Sequence, residues 1–178
     1  MLHFKETHIQ GCYVIEQGLI NDERGHFAKI FCENIFKEKG LNSTWSQLNT
    51  SISTKSGTLR GPHMQLSPFQ EVKLIKCDQG VVWDIVIDMR EDSKSYLSWL
   101  GTKLSSKDNT LIYIPKGCAH GVLSLEDKSS ITYLSSEPYD QESEITIRWD
   151  DPSININWPV KPKIISEKDT LAPYLNLS

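Results

Sequence analysis

The sequence predicts an all-β protein, a sandwich or barrel, and three observations carry that expectation. Short apolar runs of alternating character recur through the middle of the chain, Gly, Pro, Asp, Asn and Ser punctuate them, and helical patterning is confined to two short stretches. With 178 residues, 38% of them hydrophobic, and no composition break, repeat or low-complexity linker, residues 1–178 read as a single domain able to bury a sizeable core.

The elements follow in chain order. ENIFKEKG (33–40) reads as a helix of about two turns that stops at Gly40. EVKLIKC (71–77) places Glu71, Lys73, Ile75 and Cys77 on one face and Val72, Leu74 and Lys76 on the other. VVWDIVIDM (81–89) divides likewise, with Val81, Trp83, Ile85, Ile87 and Met89 opposite Val82, Asp84, Val86 and Asp88. YLSWLGTKL, TLIYIPK, HGVLSLE, SSITYLS and EITIRW supply further strands, with Tyr133 alternating with Thr132 and Leu134. SEKDTLAPYL reads as a second helix starting at Ser166.

Charge and cysteine content exclude several function classes. A formal charge of −4 and a pI near 5.7 give no global basic field, which argues against a nucleic-acid partner. No run approaches the roughly 18 apolar residues of a membrane span, and MLHFKETHIQ carries charges where a signal peptide needs an apolar stretch, so a cytoplasmic protein without a membrane partner is expected. Cys12, Cys32, Cys77 and Cys118 lack CxxC spacing and read as reduced packing residues rather than zinc ligands.

The polar signal begins at GTLRGPHMQ (57–65), where Gly57, Gly61 and Pro62 suggest a turn that projects His63. If the polar strand faces line the mouth of a barrel, His63, Lys73, Asp84, His120 and Tyr133 can converge there. IPKGCAHG (114–121) has the PxGxxH pattern of a cupin-type barrel, with His120 where a strand resumes. A metal-binding cupin offers an imidazole-rich first motif, but Gln65 stands at the second histidine position and Lys73 brings an ammonium nearby. No metal is expected.

QLNTS (47–51), GTLRGPHMQ, KLIKCDQGVVWDIVIDMR, IPKGCAHG, ITYL, WDDPSININWP and SEKD, together with DERGHF (22–27), follow one another in an order that resembles the nucleotide-sugar 3,5-epimerases. The similarity runs from about residue 12 to residue 170. It implies a cupin-type double-stranded β-helix (jelly roll) and a cofactor-independent isomerase. The substrate would be a nucleoside-diphosphate 4-keto-6-deoxysugar, in deoxysugar or polysaccharide biosynthesis. Hydrogens at C3 and C5 of such a sugar are alpha to the C4 ketone, so inversion needs a base, an acid on the opposite face and a group to hold the enolate oxygen. No GxGxxG fingerprint occurs, in keeping with a reaction that needs no redox cofactor.

The resemblance also implies roles. His63 would be the base, oriented by Asp169; Lys73 would face the enolate oxygen, Tyr133 would reprotonate, and Asp84 would tether Lys73. Arg24, Arg60, Gln47 and Asn49 would hold the diphosphate, Tyr139 would stack on the nucleobase, and His120 would support sugar and phosphates. Phe27, Lys29 and Lys168 complete the binding set. Family members form homodimers in which the DERGHF segment crosses to the neighbouring site. Plainer readings stand beside these: Ser166 to Asp169 fits a helix capping box, Lys73 with Asp84 a cross-strand pair, and Arg24 a partner of Asp22 or Glu23.

Three alternatives remain open on the sequence. One is a single-position 3- or 5-epimerase on a CDP- or GDP-linked sugar, another is a non-catalytic sugar-nucleotide-binding cupin, and the third is a metal-dependent cupin oxygenase. The first draws on Lys29, which stands where the thymidine enzymes commonly carry glutamate. An ammonium offers three donors and no acceptor, and so suits cytosine or guanine better than thymine N3–H.

Overall fold

Alternation along the strands becomes layering in the computed structural model, which describes residues 1–176. One sheet runs in the order β1 (Leu2–Glu6), β2 (Tyr13–Gln17), β10 (Thr110–Ile114), β7 (Lys73–Gln79), β12 (Ser129–Ser135) and β5 (Gln47–Ser53). The other runs β13 (Glu144–Thr146), β6 (Thr58–Gln65), β11 (Cys118–Ser124), β8 (Val81–Asp88) and β9 (Trp99–Ser105), with β14 (Ile164–Ile165) alongside β6. A separate hairpin, β3 (Leu19–Asp22) and β4 (Gly25–Ala28), joins neither sheet. The helices are short, α1 at Glu33–Glu38 and α2 at Glu167–Leu171.

The two sheets face each other as a cupin-type jelly roll. Ile75, Cys77 and Ile112 from the first meet Val82, Val86 and Val122 from the second in the central core. The intervening residues point outward and are covered in turn. Leu74, Leu111 and Tyr113 pack beneath Phe36 of α1, while Ile85, Ile87 and Ala119 pack beneath Ile147 and Ile154 of the C-terminal segment. Both faces of β8 are therefore apolar, as its near-continuous hydrophobic run requires.

Two corrections concern local structure. Residues 57–65 do not form a turn around His63: Thr58–Gln65 is strand β6, and His63 lies within it, paired with His120 of β11. The glycine and proline mark an irregularity within that strand, where the β6–β11 register shifts between His120 and Val122. Gly61 has φ +79, and a Cβ there would lie 2.8 Å from the His120 carbonyl oxygen, so the kink admits only glycine. The strands β1 and β2 carry no clear alternation in sequence; β2 joins the sheet by pairing with β10, about a hundred residues away.

Among the described residues no helix is long and apolar enough to cross a membrane. All four cysteines are free thiols. Burial pushes Cys12 and Cys118 up to about 12, so they pack as apolar groups.

Candidate active site

The strand register assembles a polar cleft at one end of the barrel. On the first sheet, β7, β12 and β5 align three rows of inward-facing residues: Lys73, Ser135 and Gln47; Ile75, Tyr133 and Asn49; Cys77, Ile131 and Ser51. On the second, His63 and His120 are direct partners across β6 and β11. These faces enclose about 430 Å³, with Arg60, Tyr139 and Glu144 also on the walls. Residues separated by up to about a hundred positions meet because period two puts each on the inward face of its own strand.

His63 is the centre of this arrangement. Its Nε2 lies 2.6 Å from Asp169 Oδ1, and the Gly61 N–H donates to Asp169 Oδ2 at 3.1 Å. The Asp169 backbone N–H also donates to Ser166 Oγ, the helix cap, at 3.1 Å, so the same residue satisfies the cap through its main chain and partners the histidine through its side chain. Such a cap contributes about 1 kcal/mol. Burial raises the Asp169 carboxyl, but the hydrogen bond and charge of His63 together with the Gly61 and Ser166 contacts outweigh it and hold the group below the usual carboxylate range. An ionised Asp169 only accepts, which places the proton of a neutral His63 on Nε2 and leaves Nδ1 with a free lone pair. The nearest acid to Nδ1 is Glu144 Oε1, at 3.6 Å.

Lys73 is not tethered by Asp84. Its Nζ lies 2.7 Å from Glu71 Oε1, and Glu71 Oε2 accepts the Gln65 N–H at 3.2 Å. Asp84 is wholly buried and pairs instead with His120, Oδ2 to Nε2 at 2.8 Å, while its Oδ1 has no partner among the described residues. The reason is topological: β8 lies beside β11, which carries His120, whereas Lys73 belongs to the opposite sheet. Asp84 therefore cannot touch a substrate, and orients His120 from behind.

Tyr133 stands opposite the histidines. Burial above all pushes its phenol up, with Glu71 and Glu144 adding to the effect and Arg60 opposing it, so the hydroxyl stays protonated and able to donate. The main omission from the sequence reading is Glu144. Burial raises its carboxyl, but the Lys168 ammonium, the His63 ring and the Tyr139 hydroxyl, which donates to Oε2 at 3.0 Å, together hold it low. Its available signal was weak, the period-two relation of Glu144 to Thr146 in EITIRW; Glu71, also unassigned, was at least placed on the face of Lys73.

Of the binding residues expected from sequence, Gln47, Asn49, Arg60, His120 and Tyr139 line the cleft, and Lys168 reaches it through Glu144. Arg24, Phe27 and Lys29 do not. Arg24 is 85% exposed and paired with Asp22, Phe27 is exposed on the hairpin, and the Lys29 carbonyl accepts from Gln17 Nε2. Gln65 lies on the cleft wall but spends its side-chain amide on the Phe69 and Pro138 carbonyls and the Asp140 N–H, bracing the loops rather than offering itself as a ligand. With an ammonium beside it and both histidine Nε2 atoms on carboxylates, this donor set suits acid–base chemistry better than metal coordination.

Comparison with known proteins agrees with this geometry. A family model described as dTDP-4-dehydrorhamnose 3,5-epimerase matches residues 6–176. A dTDP-4-dehydrorhamnose 3,5-epimerase of Methanothermobacter thermautotrophicus is 41% identical over 169 residues, 93% of this chain and 90% of its own. The crystal structure of dTDP-6-deoxy-D-glucose-3,5-epimerase from Legionella pneumophila, in complex with dTDP-4-keto-L-rhamnose, superposes with a TM-score of 0.92 at 35% identity, covering 99% of this chain and 94% of that one. ChmJ, a 3'-monoepimerase from Streptomyces bikiniensis in complex with dTDP-quinovose, superposes at 0.88 with 29% identity, covering 94% and 85%.

Proposed function

The chain belongs to the dTDP-4-dehydrorhamnose 3,5-epimerase family, and on that premise we propose that it inverts carbons flanking the C4 ketone of a nucleoside-diphosphate 4-keto-6-deoxyhexose. The observation that carries this reading is a histidine whose Nε2 is held by a buried carboxylate and whose Nδ1 is free, in a cleft that also holds an ammonium and a protonated phenol. Nδ1 of His63 takes the proton from C3 or C5, and the C–H electron pair moves onto the C4 oxygen as an enolate. The Lys73 ammonium faces that oxygen. Tyr133 then delivers its proton to the opposite face of the carbon, the C4 carbonyl reforms, and the tyrosinate and imidazolium re-equilibrate with solvent.

The substrate nucleotide in this reading carries thymine, the base named for the three relatives described, rather than the cytosine or guanine that Lys29 suits. Calorimetric titration of dTDP, CDP and GDP checks it, dTDP being expected to bind most tightly. Two inverted centres rather than one are supported by the family model, which describes a 3,5-epimerase, and by the 41% identity to the Methanothermobacter thermautotrophicus 3,5-epimerase against 29% for the monoepimerase ChmJ. Incubation in deuterated water, with the incorporated label located at C3 and C5, is the test; no label at either carbon would overturn the assignment.

The acting species is a cytoplasmic homodimer in which each hairpin β3–β4 lies over the partner's cleft, bringing Arg24, Phe27 and Lys29 to the nucleotide. Exposed Ile20 and Phe27 on the hairpin, and exposed Leu48 and Ile52 on the edge strand β5, support an interface there. Three buried free thiols suit a reducing compartment. Light scattering on the purified protein reads the mass, and a monomer at catalytic concentrations would refute the arrangement.

A further inference from the structure

The base and the ammonium of the cleft sit on different sheets. His63 is on β6 and Lys73 on β7, and no ladder of main-chain hydrogen bonds joins those strands. One side chain spans the gap. Glu71, in the segment linking them, takes the Gln65 N–H of β6 on Oε2 and the Lys73 ammonium of β7 on Oε1. It is only 8% exposed, and Lys73 only 13%. A carboxylate so nearly buried is costly to desolvate, and both of its oxygens are used here.

We propose that Glu71 is a positioning residue for the epimerisation, holding the Lys73 ammonium in register with His63 so that it meets the enolate oxygen as the base takes the proton. This rests on the epimerase reading given above and adds to it the residue on which the oxyanion-holding group depends. An ammonium drawn into a cleft loses hydration and, without a counter-charge, sheds its proton more readily. Glu71 supplies that counter-charge from the same segment. The other ionisable groups on the cleft are Tyr133 of β12, Arg60 and His63 of β6, His120 of β11, Glu144 of β13 and Tyr139 of the loop before it. Among the described residues, none of these forms an ion pair with Lys73.

The experiment compares wild type with Glu71→Gln, which keeps the shape and an acceptor oxygen but removes the charge, and with Glu71→Asp, which keeps the charge. Deuterium exchange into a dTDP-4-keto-6-deoxyhexose is followed from pH 6 to pH 10, in both the parent and a Tyr133→Phe background. The alkaline limb of kcat is expected to move down by about one pH unit in Glu71→Gln, the effect of one charge at this separation under water-like screening. KM should stay within about twofold, since the interaction belongs to the developing enolate. Glu71→Asp should retain the wild-type limb, and the shift should persist in Tyr133→Phe, where Lys73 is the acid-side group left. A merely structural residue would alter melting and leave the limb in place. Coincident profiles for Glu71→Gln and wild type, or a shift that vanishes with Tyr133, would overturn the proposal. Lysine-selective NMR reads the Lys73 titration without substrate and must show the same fall; it stands even if wild type fails to exchange, an outcome that would refute the epimerase reading alone.

Discussion

The cleft contains two histidine–carboxylate pairs whose backbones are direct partners, and they are built differently. His63 Nε2 meets Asp169 at 2.6 Å and His120 Nε2 meets Asp84 at 2.8 Å, so the pairing atoms match. Their surroundings do not. Asp169 accepts from both the ring and the Gly61 N–H, whereas Asp84 leaves Oδ1 without a partner among the described residues. The His63 side chain is 27% exposed and that of His120 only 10%. A short contact between a histidine and a carboxylate therefore does not by itself make a base. Access to the second ring nitrogen and full satisfaction of the carboxylate separate the pair proposed as catalytic from the one proposed as supporting.

Mutation can break this distinction or sharpen it. The largest effect belongs to His63→Ala, expected to lower exchange at both C3 and C5 by about a thousandfold, the usual contribution of a general base. If His120→Ala causes a loss of that size while His63→Ala is mild, the assignment of the two histidines is reversed. Asp169→Asn comes next, at about a hundredfold in kcat with a smaller change in KM, because an amide no longer fixes the ring tautomer; steady-state kinetics on folded variant decides it. Tyr133→Phe should leave proton removal by His63 largely intact and slow inversion about tenfold. Comparing label incorporation with product stereochemistry separates the two, and full-rate inversion would remove Tyr133 from the acid role. His120→Gln, which keeps a polar contact to Asp84, should raise KM by about threefold and leave the acid limb of the pH profile unmoved.

The pairs should also differ in how stability responds to acid. The folded Asp169 carboxyl lies below its unfolded value, so its stabilisation is complete above the unfolded pKa and is lost as pH falls through the folded one. The melting difference between wild type and Asp169→Asn should consequently narrow below about pH 4. Thermal unfolding across that range measures it, and a constant difference would mean that Asp169 stabilises the fold by something other than its charge.

What could be read from sequence divides along a physical line. Period-two alternation is local, so the inward faces of EVKLIKC and SSITYLS, and with them Lys73 and Tyr133, were legible without knowing any partner strand. The S-x-x-D cap was likewise local and is present at Ser166. Pairing across the barrel was not. Asp84 on β8 faces inward as its alternation requires, but whether it meets Lys73 or His120 depends on which strands become neighbours, and the sheet order is a property of the whole chain. Glu144 was missed for the same reason: its contacts with His63, Tyr139 and Lys168 arise from a three-residue strand docking beside β6. The turn expected around His63 is a strand in the fold, since Gly and Pro mark a strand irregularity as readily as a chain reversal.

The doubled use of Asp169 bears on the order in which the protein comes into being. A chain made from its N-terminus completes every strand of both sheets before Asp169 is added, so His63 can reach its place on β6 while the carboxylate that orients it does not yet exist. The helix turn capped by Ser166 then brings main chain and carboxylate into position together. The carboxylate proposed to orient the base is in this sense supplied after the walls of the cleft, and a nascent barrel without it would hold that cleft in a dormant form.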